Sequence, residues 1–93
     1  MKTNTTPQEF VTDVCQALTD DLKAVNVDLV LALEVEDYEA AAIIRDEIEH
    51  AINNTAELLE PFVDLPVTEI KERFYNINKV VYQTAIDLNN EQY

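Results

Sequence analysis

Glycine is entirely absent from this chain of 93 residues. Tight hairpins and bulges in β-sheets use glycine for backbone conformations with positive φ, so its absence argues against a β-rich fold. The three prolines stand at positions 7, 61 and 66, which leaves long stretches of sequence without a helix breaker. These absences favour long helices joined by few turns.

Cysteine and long apolar runs are also scarce. Cys15 is the one cysteine, so no disulfide can form within the chain, which fits a reducing compartment. No apolar run approaches the roughly 18 residues needed to cross a bilayer, and the polar residues 1–7 do not resemble a signal peptide. We therefore expect a cytoplasmic protein with no membrane contact, in which Cys15 is structural.

Basic residues are few: six Lys and Arg face 19 acids, for a net charge of −13. Phosphate backbones and anionic lipids both require a basic surface, so direct binding to nucleic acid or to such a membrane is not expected. Two interpretations of the acidity stay open. The charge keeps a small helical protein soluble, or it forms a face that docks on a basic protein.

Apolar residues recur at steps of three and four along most of the chain, which is the period of one helical face. The predicted helices span residues 7–34, 37–60 and 67–90, and their predicted core stripes include Val25 in the first, Tyr38 in the second, and Ile77 and Leu88 in the third. Asp37 is a candidate N-cap for the second, and Pro61 marks its end. Short connections make consecutive helices antiparallel, so residues 1–93 are predicted to form one all-α domain, an antiparallel three-helix bundle with frayed ends at 1–6 and 91–93. Thin bundles expose apolar surface, which favours completion by oligomerisation.

Residues 29–52 carry a recognisable pattern. An apolar helix leads into an acidic-aromatic-acidic turn, which is followed by two alanines and by Arg-Asp before an apolar position. The residues are Leu29, Ala32, Leu33, Glu34, Glu36, Asp37, Tyr38, Glu39, Ala41, Ala42, Arg45, Asp46 and Ile48. This pattern resembles the UVR motif, a helical hairpin of the UvrB and UvrC repair proteins. The resemblance implies protein–protein docking, often with another copy of the hairpin, and no repair chemistry.

The negative charge is concentrated around this pattern. Residues 34–66 hold ten acids and one base, a net charge of −9, whereas residues 1–33 carry −3 and residues 67–93 carry −1. The predicted partner-binding residues are therefore Glu36, Asp37, Glu39, Arg45, Asp46, Glu49, Glu57 and Glu60. Arg45 is the lone counter-charge in that stretch.

Helix 3 carries a second candidate surface beside its core stripe. Tyrosines combine apolar area with a polar tip and are favoured at interfaces. A self-association face is predicted at Tyr75, Lys79, Tyr82 and Ile86. The alternative interpretation is that these side chains cover the edge of the monomer core.

Sequence patterns that would indicate a metal site or a catalytic site are weak in this chain. Glu47 and His50 have the Glu-x-x-His spacing of di-iron carboxylate bundles, but the chain has a single histidine, so two subunits would have to share the metal. His50 is more simply a solvated surface residue. No Ser/His/Asp arrangement and no glycine-rich phosphate loop occurs, so we expect neither an enzyme nor a cofactor.

The sequence thus predicts a small acidic helical interaction module. It would act as an adaptor or inhibitor that docks on a basic protein partner. One version is a bacterial or phage regulator that mimics the charge of nucleic acid, as a DNA mimic does. Two alternatives stay open: a metal-binding helical oligomer that uses Glu47 and His50, and a purely structural assembly subunit.

Overall fold

The computed structural model describes residues 7–91, and these residues are almost entirely helical. Helix α1 spans Pro7–Glu34, α2 spans Tyr38–Leu59 and α3 spans Val67–Glu91, with a 3-10 turn at Glu60–Phe62. No strand occurs in this range. The predicted three-helix bundle is confirmed, and the predicted helix ends are displaced by one residue at most. Of the termini predicted to fray, Glu91 is the last helical residue of α3, and the others lie outside the described residues.

Helix α1 is the central element of the bundle. It packs along both α2 and α3, whereas α2 and α3 contact each other over a shorter length. The radius of gyration of 15.3 Å exceeds the ~12 Å expected for a compact domain of this length. Because α2 and α3 are partly separated, a groove opens between them with α1 as its floor.

The core consists of aliphatic and aromatic side chains from all three helices. Leu22, Ile52 and Leu59 are its largest fully buried apolar side chains. Each contributes about 1.5–3 kcal/mol by leaving water. Ala41 and Ala56 are also fully buried, and their small side chains let α2 approach its neighbours closely.

Some positions assigned to the core stripes by periodicity are exposed. Tyr38 is 62 % exposed and Leu88 is 53 % exposed, and Ile77 also faces solvent. Tyr38 therefore starts α2 without starting its buried face. The apolar period is correct in each helix and most of the predicted stripe positions are buried, but Val25 and Ile77 are less buried than the residues that follow them.

The connection between α2 and α3 closes one end of the core. Pro61 lies within the 3-10 turn, and the ring of Phe62 packs against the ring of Phe10 with centroids 4.9 Å apart. Val63 and Leu65 pack against the buried cluster. This end of the bundle is covered by the connection itself.

The turn between α1 and α2 is tightly hydrogen-bonded. The N–H of Asp37 donates to the Ala32 carbonyl at 2.8 Å, and the N–H of Glu36 donates to the Leu33 carbonyl at 3.1 Å. These two bonds form a Schellman motif, which ends a helix with one left-handed residue. That residue is Glu36, with φ of 59°. Asp37 then caps α2, because its carboxylate accepts from the Ala40 N–H at 3.1 Å.

Replacement of Glu36 by glycine should stabilise the protein. A side chain with a Cβ atom costs about 1–2 kcal/mol in the left-handed region, and glycine forfeits part of this gain through its greater freedom in the unfolded chain. We expect Glu36→Gly to raise the free energy of unfolding in urea by about 0.5–1 kcal/mol. Glu36→Ala removes the same charge but keeps the Cβ atom, so it serves as the control and should show no such gain. Equal stabilisation by both variants would contradict a strained turn.

Candidate functional site

A polar side chain lies in the middle of the apolar core. Asn26 follows Leu22 by four residues and precedes Leu29 by three, which places it on the buried face of α1, and it is 0 % exposed. Its Nδ2 donates to the Leu22 carbonyl at 2.7 Å and to Oδ1 of Asn78 on α3 at 2.8 Å. Its own Oδ1 is buried and has no hydrogen-bond partner among the described residues. A buried acceptor in this state is costly, at about 1–3 kcal/mol.

Asn26 lines the floor of the groove between α2 and α3. The groove has a volume of about 370 Å³, which lies within the usual range for small-molecule sites of about 300–1,000 Å³. Its lining comes from all three helices: Asn26, Leu29, Arg45, Ile48, Glu49, Tyr75, Asn78, Lys79 and Tyr82. Polar, charged and aromatic groups therefore converge on one concave surface.

The charges in the groove are arranged along its length. Burial raises the pKa of Tyr75, and the nearby Glu49 carboxylate raises it further; both side chains line the groove. Arg45 lies one turn before Glu49 on α2, and Lys79 lies one turn after Tyr75 on α3. Because α2 and α3 run in opposite directions, both steps lead the same way along the groove. One end is therefore acidic and the other end is basic.

Two sets of residues that were predicted separately meet here. Arg45 and Glu49 were assigned to partner binding, whereas Tyr75, Lys79 and Tyr82 were assigned to self-association, and all five line the same groove. The remaining predicted self-association residue, Ile86, is half-buried and lines a neighbouring depression between α1 and α3.

The amides at the groove floor were not predicted from the sequence. The predicted stripes placed Val25 and Ile77 in the core, whereas the structure buries the next residue in each helix more deeply. The spacing of these two amides in the sequence does indicate that they face the core. Asn26 lies between Leu22 and Leu29 at steps of four and three, and Asn78 lies between Phe74 and Val81 at the same steps. A polar residue at such a position on each of two helices indicates a buried pair.

The predicted acidic partner-binding residues are all exposed. Most of them form a ridge along one side of α2 and the start of the 3-10 turn that follows it, at steps of seven, three, eight and three residues, which we call the acidic ridge: Glu39, Asp46, Glu49, Glu57 and Glu60. Arg45 is the one Lys or Arg in α2. Glu49 belongs to both the ridge and the groove, so the ridge runs beside the groove.

The described residues do not assemble a metal site or a reactive thiol. Glu47 and His50 are exposed, and no group of three or more His, Cys, Asp or Glu that could hold a metal ion occurs within residues 7–91. A metal at Glu47 and His50 would need ligands from a second chain. Cys15 is half-buried, and burial raises the pKa of its thiol, which disfavours the thiolate.

Comparisons of the chain with known protein families, with curated proteins and with solved structures found no match. None of the helices within residues 7–91 is long and apolar enough to cross a membrane.

Replacement of both groove-floor amides by leucine should stabilise the bundle. Asn26→Leu with Asn78→Leu removes the unpartnered acceptor and its bonded neighbour together and adds apolar contacts of similar volume. Buried polar pairs replaced in this way are often neutral or stabilising. We expect the free energy of unfolding in urea to rise by about 1–3 kcal/mol.

The control for this pair is Asn76→Leu, which lies at an exposed position of α3 and should change stability by less than about 0.5 kcal/mol. A double variant that unfolds more easily than the native chain would show that the amide pair stabilises the fold.

Proposed function

We propose that this protein is a non-enzymatic interaction module that docks its acidic surface on a basic protein partner. The docking surface comprises the tip of the α1–α2 hairpin and the acidic ridge. In this role the protein acts as an adaptor, or as an inhibitor that occupies the basic groove of a nucleic-acid-binding protein.

The observation that carries the proposal is the backbone of Glu36. A left-handed residue at the end of a helix is usually glycine, and here a glutamate holds the position at an energetic disadvantage. Residues held in strained backbone conformations cluster at functional sites. The Glu36 carboxylate is exposed at the tip, next to those of Asp37 and Glu39. A solubilising role alone would not require a carboxylate at this particular position.

Two further features support the proposal. Residues 34–66 carry a net charge of −9 with one base, so the field around the hairpin attracts a cationic surface over several ångströms. The resemblance of residues 29–52 to the UVR motif also favours docking, because that hairpin is a protein-binding element. Ala41, one of the paired alanines of the pattern, is fully buried, so it suits close packing of the hairpin helices.

The test is affinity capture from the native cell with three forms of the protein. The ridge variant reverses Asp46, Glu49, Glu57 and Glu60 to lysine. The control variant reverses four other exposed acids, Asp13, Asp21, Asp28 and Glu72, and so has the same net charge. We expect the native and control forms to capture the same basic protein at low salt and the ridge variant to lose it. The affinity should fall as salt rises, because salt screens exposed charges.

Several outcomes would contradict the proposal. If the ridge variant still captures the partner, or if the control variant loses it equally, the acidic ridge is not the docking surface. An affinity that does not fall as the salt concentration rises would also contradict electrostatic docking. Addition of duplex DNA separates the two roles: displacement of the captured protein indicates a nucleic-acid mimic, and retention indicates an adaptor.

A self-assembling structural subunit is the second candidate, and a different surface favours it. On the side of α1 and α3 away from the acidic ridge, a groove of about 390 Å³ is lined by Lys23, Val27, Val80, Val81, Thr84, Ala85 and Leu88. Val27, Val80 and Leu88 are each about half exposed or more. No acid lines this groove, so two copies of a chain with net charge −13 meet here with least repulsion. The occupant we propose is a second copy.

The oligomeric state tests this candidate. We expect the native chain to sediment above its monomer mass of 10.6 kDa, and Val80→Glu to return it to the monomer by burying a charge in the contact. The matched control is Ile43→Glu, at an exposed apolar position of α2, which should leave the oligomer intact. A native chain that is monomeric at every concentration would contradict self-assembly. Dissociation by Tyr82→Glu but not by Val80→Glu would assign the contact to the surface predicted at helix 3.

A further inference from the structure

The buried acceptor of Asn26 requires a hydrogen-bond donor that the described residues do not supply. Its Oδ1 is fully buried at the groove floor, and the Nδ2 of the same amide is already used by Leu22 and Asn78. Asn26 lines the floor of the groove. A molecule with an N–H group that displaces the side chains covering the amide can donate to Oδ1, and it would offset the desolvation of that atom.

The two ends of the groove have opposite charge. The Glu49 carboxylate lies at one end beside Tyr75, and Arg45 and Lys79 lie at the other. Two of the six Lys and Arg residues of a strongly acidic chain are thus brought to one site. A helical turn of about 5.4 Å separates the backbone positions of the acidic and basic residues on each helix. The two charged groups of a small zwitterion lie closer together than this, and the long, adaptable Arg45 and Lys79 side chains can span the difference.

The walls between the charged ends are apolar and aromatic. Leu29 and Ile48 are buried beside the floor, and the rings of Tyr75 and Tyr82 are half-buried along α3. Such walls hold the carbon skeleton of a ligand while a few polar groups fix its orientation. A volume of about 370 Å³ is large enough for a small organic molecule.

We infer that the groove between α2 and α3 binds a small zwitterion of the α-amino-acid class. Its ammonium group donates to Asn26 Oδ1 and to the Glu49 carboxylate. Its carboxylate accepts from the guanidinium of Arg45 and the ammonium of Lys79. A simple cation would meet the two basic residues, and a simple anion would meet Glu49, so only a ligand with both charges matches both ends. This site does not depend on the docking partner proposed above.

The experiment is a titration of the ¹⁵N-labelled protein with each of the twenty α-amino acids in turn, followed by two-dimensional NMR. We expect at least one of them to cause saturable shifts confined to the groove-lining residues. Methylammonium and acetate each carry one of the two charged groups, and we expect them to bind at least tenfold more weakly, a difference of about 1.4 kcal/mol.

Variants then locate the ligand. Arg45→Gln and Glu49→Gln should each weaken binding tenfold or more, and Asn26→Leu should do the same. Arg45 and Glu49 are exposed, so their variants keep the fold. The matched controls are Arg73→Gln and Glu57→Gln, which remove the same charges from exposed positions outside the groove and should leave binding unchanged.

Three results would overturn the inference. The first is a titration in which no amino acid gives a saturable shift, which would leave water as the donor to Asn26. The second is equal weakening by Arg45→Gln and Arg73→Gln. The third is binding of methylammonium or acetate as tight as that of the amino acid. Reversal of Asp46, Glu57 and Glu60 removes ridge charge but spares the groove, so amino-acid binding in that variant separates this site from the docking proposal.

Discussion

The hydrogen bond from Asn26 Nδ2 to Asn78 Oδ1 fixes the arrangement on which the candidate site depends. It joins α1 to α3 at the centre of the bundle, where apolar packing alone would tolerate several registers. This bond between two side chains forms in one register only, and a slip along either helix would break it. It fixes α3 relative to α1, and the hydrogen-bonded turn fixes α2 relative to α1, so that Arg45 and Glu49 stand opposite residues of α3. The groove, with its acidic and basic ends, follows from that register.

A second constraint is the lack of glycine. The chain must turn from α1 into α2 with a residue in the left-handed region, and Glu36 takes that place. The turn is stabilised by two backbone hydrogen bonds and by the Asp37 cap, so the strain is confined to one residue. The result is a tip that carries a carboxylate at Glu36, beside those of Glu34, Asp37 and Glu39. At two places the chain departs from the most stable sequence. The groove has an amide in the core, and the tip has a glutamate at a position that favours glycine. Both lie where we propose binding.

Much of the fold follows from the sequence because helix periodicity and helix breakers are local signals. The three helices were predicted to within one residue, and the stretch Val27–Leu31, which is rich in β-branched and apolar residues, is helical because its three-four spacing continues that of α1. The local shift of the buried stripe of α1 from Val25 to Asn26 was less predictable. Periodicity allowed either Val25 or Asn26 to face the core, and hydropathy favoured the valine. Packing against two helices buries Asn26 instead, since its amide finds a partner on α3.

The candidate site was predicted in parts and not as a whole. Arg45, Glu49, Tyr75, Lys79 and Tyr82 were each singled out from charge or from aromatic character. Their meeting in one groove depends on the relative register of α2 and α3, which no local pattern specifies. The opening of the groove depends on how far α2 and α3 separate, which depends on side-chain volumes in all three helices. Such properties belong to tertiary packing.

The most direct test of this account is the environment of the Asn26 side-chain amide in solution, measured by ¹⁵N-edited NMR. We expect its Nδ2 protons to exchange with water far more slowly than those of the exposed Asn54 and to show contacts with both Leu22 and Asn78. Exchange as fast as that of Asn54, with no contact to α3, would contradict the buried amide pair and the groove that depends on it.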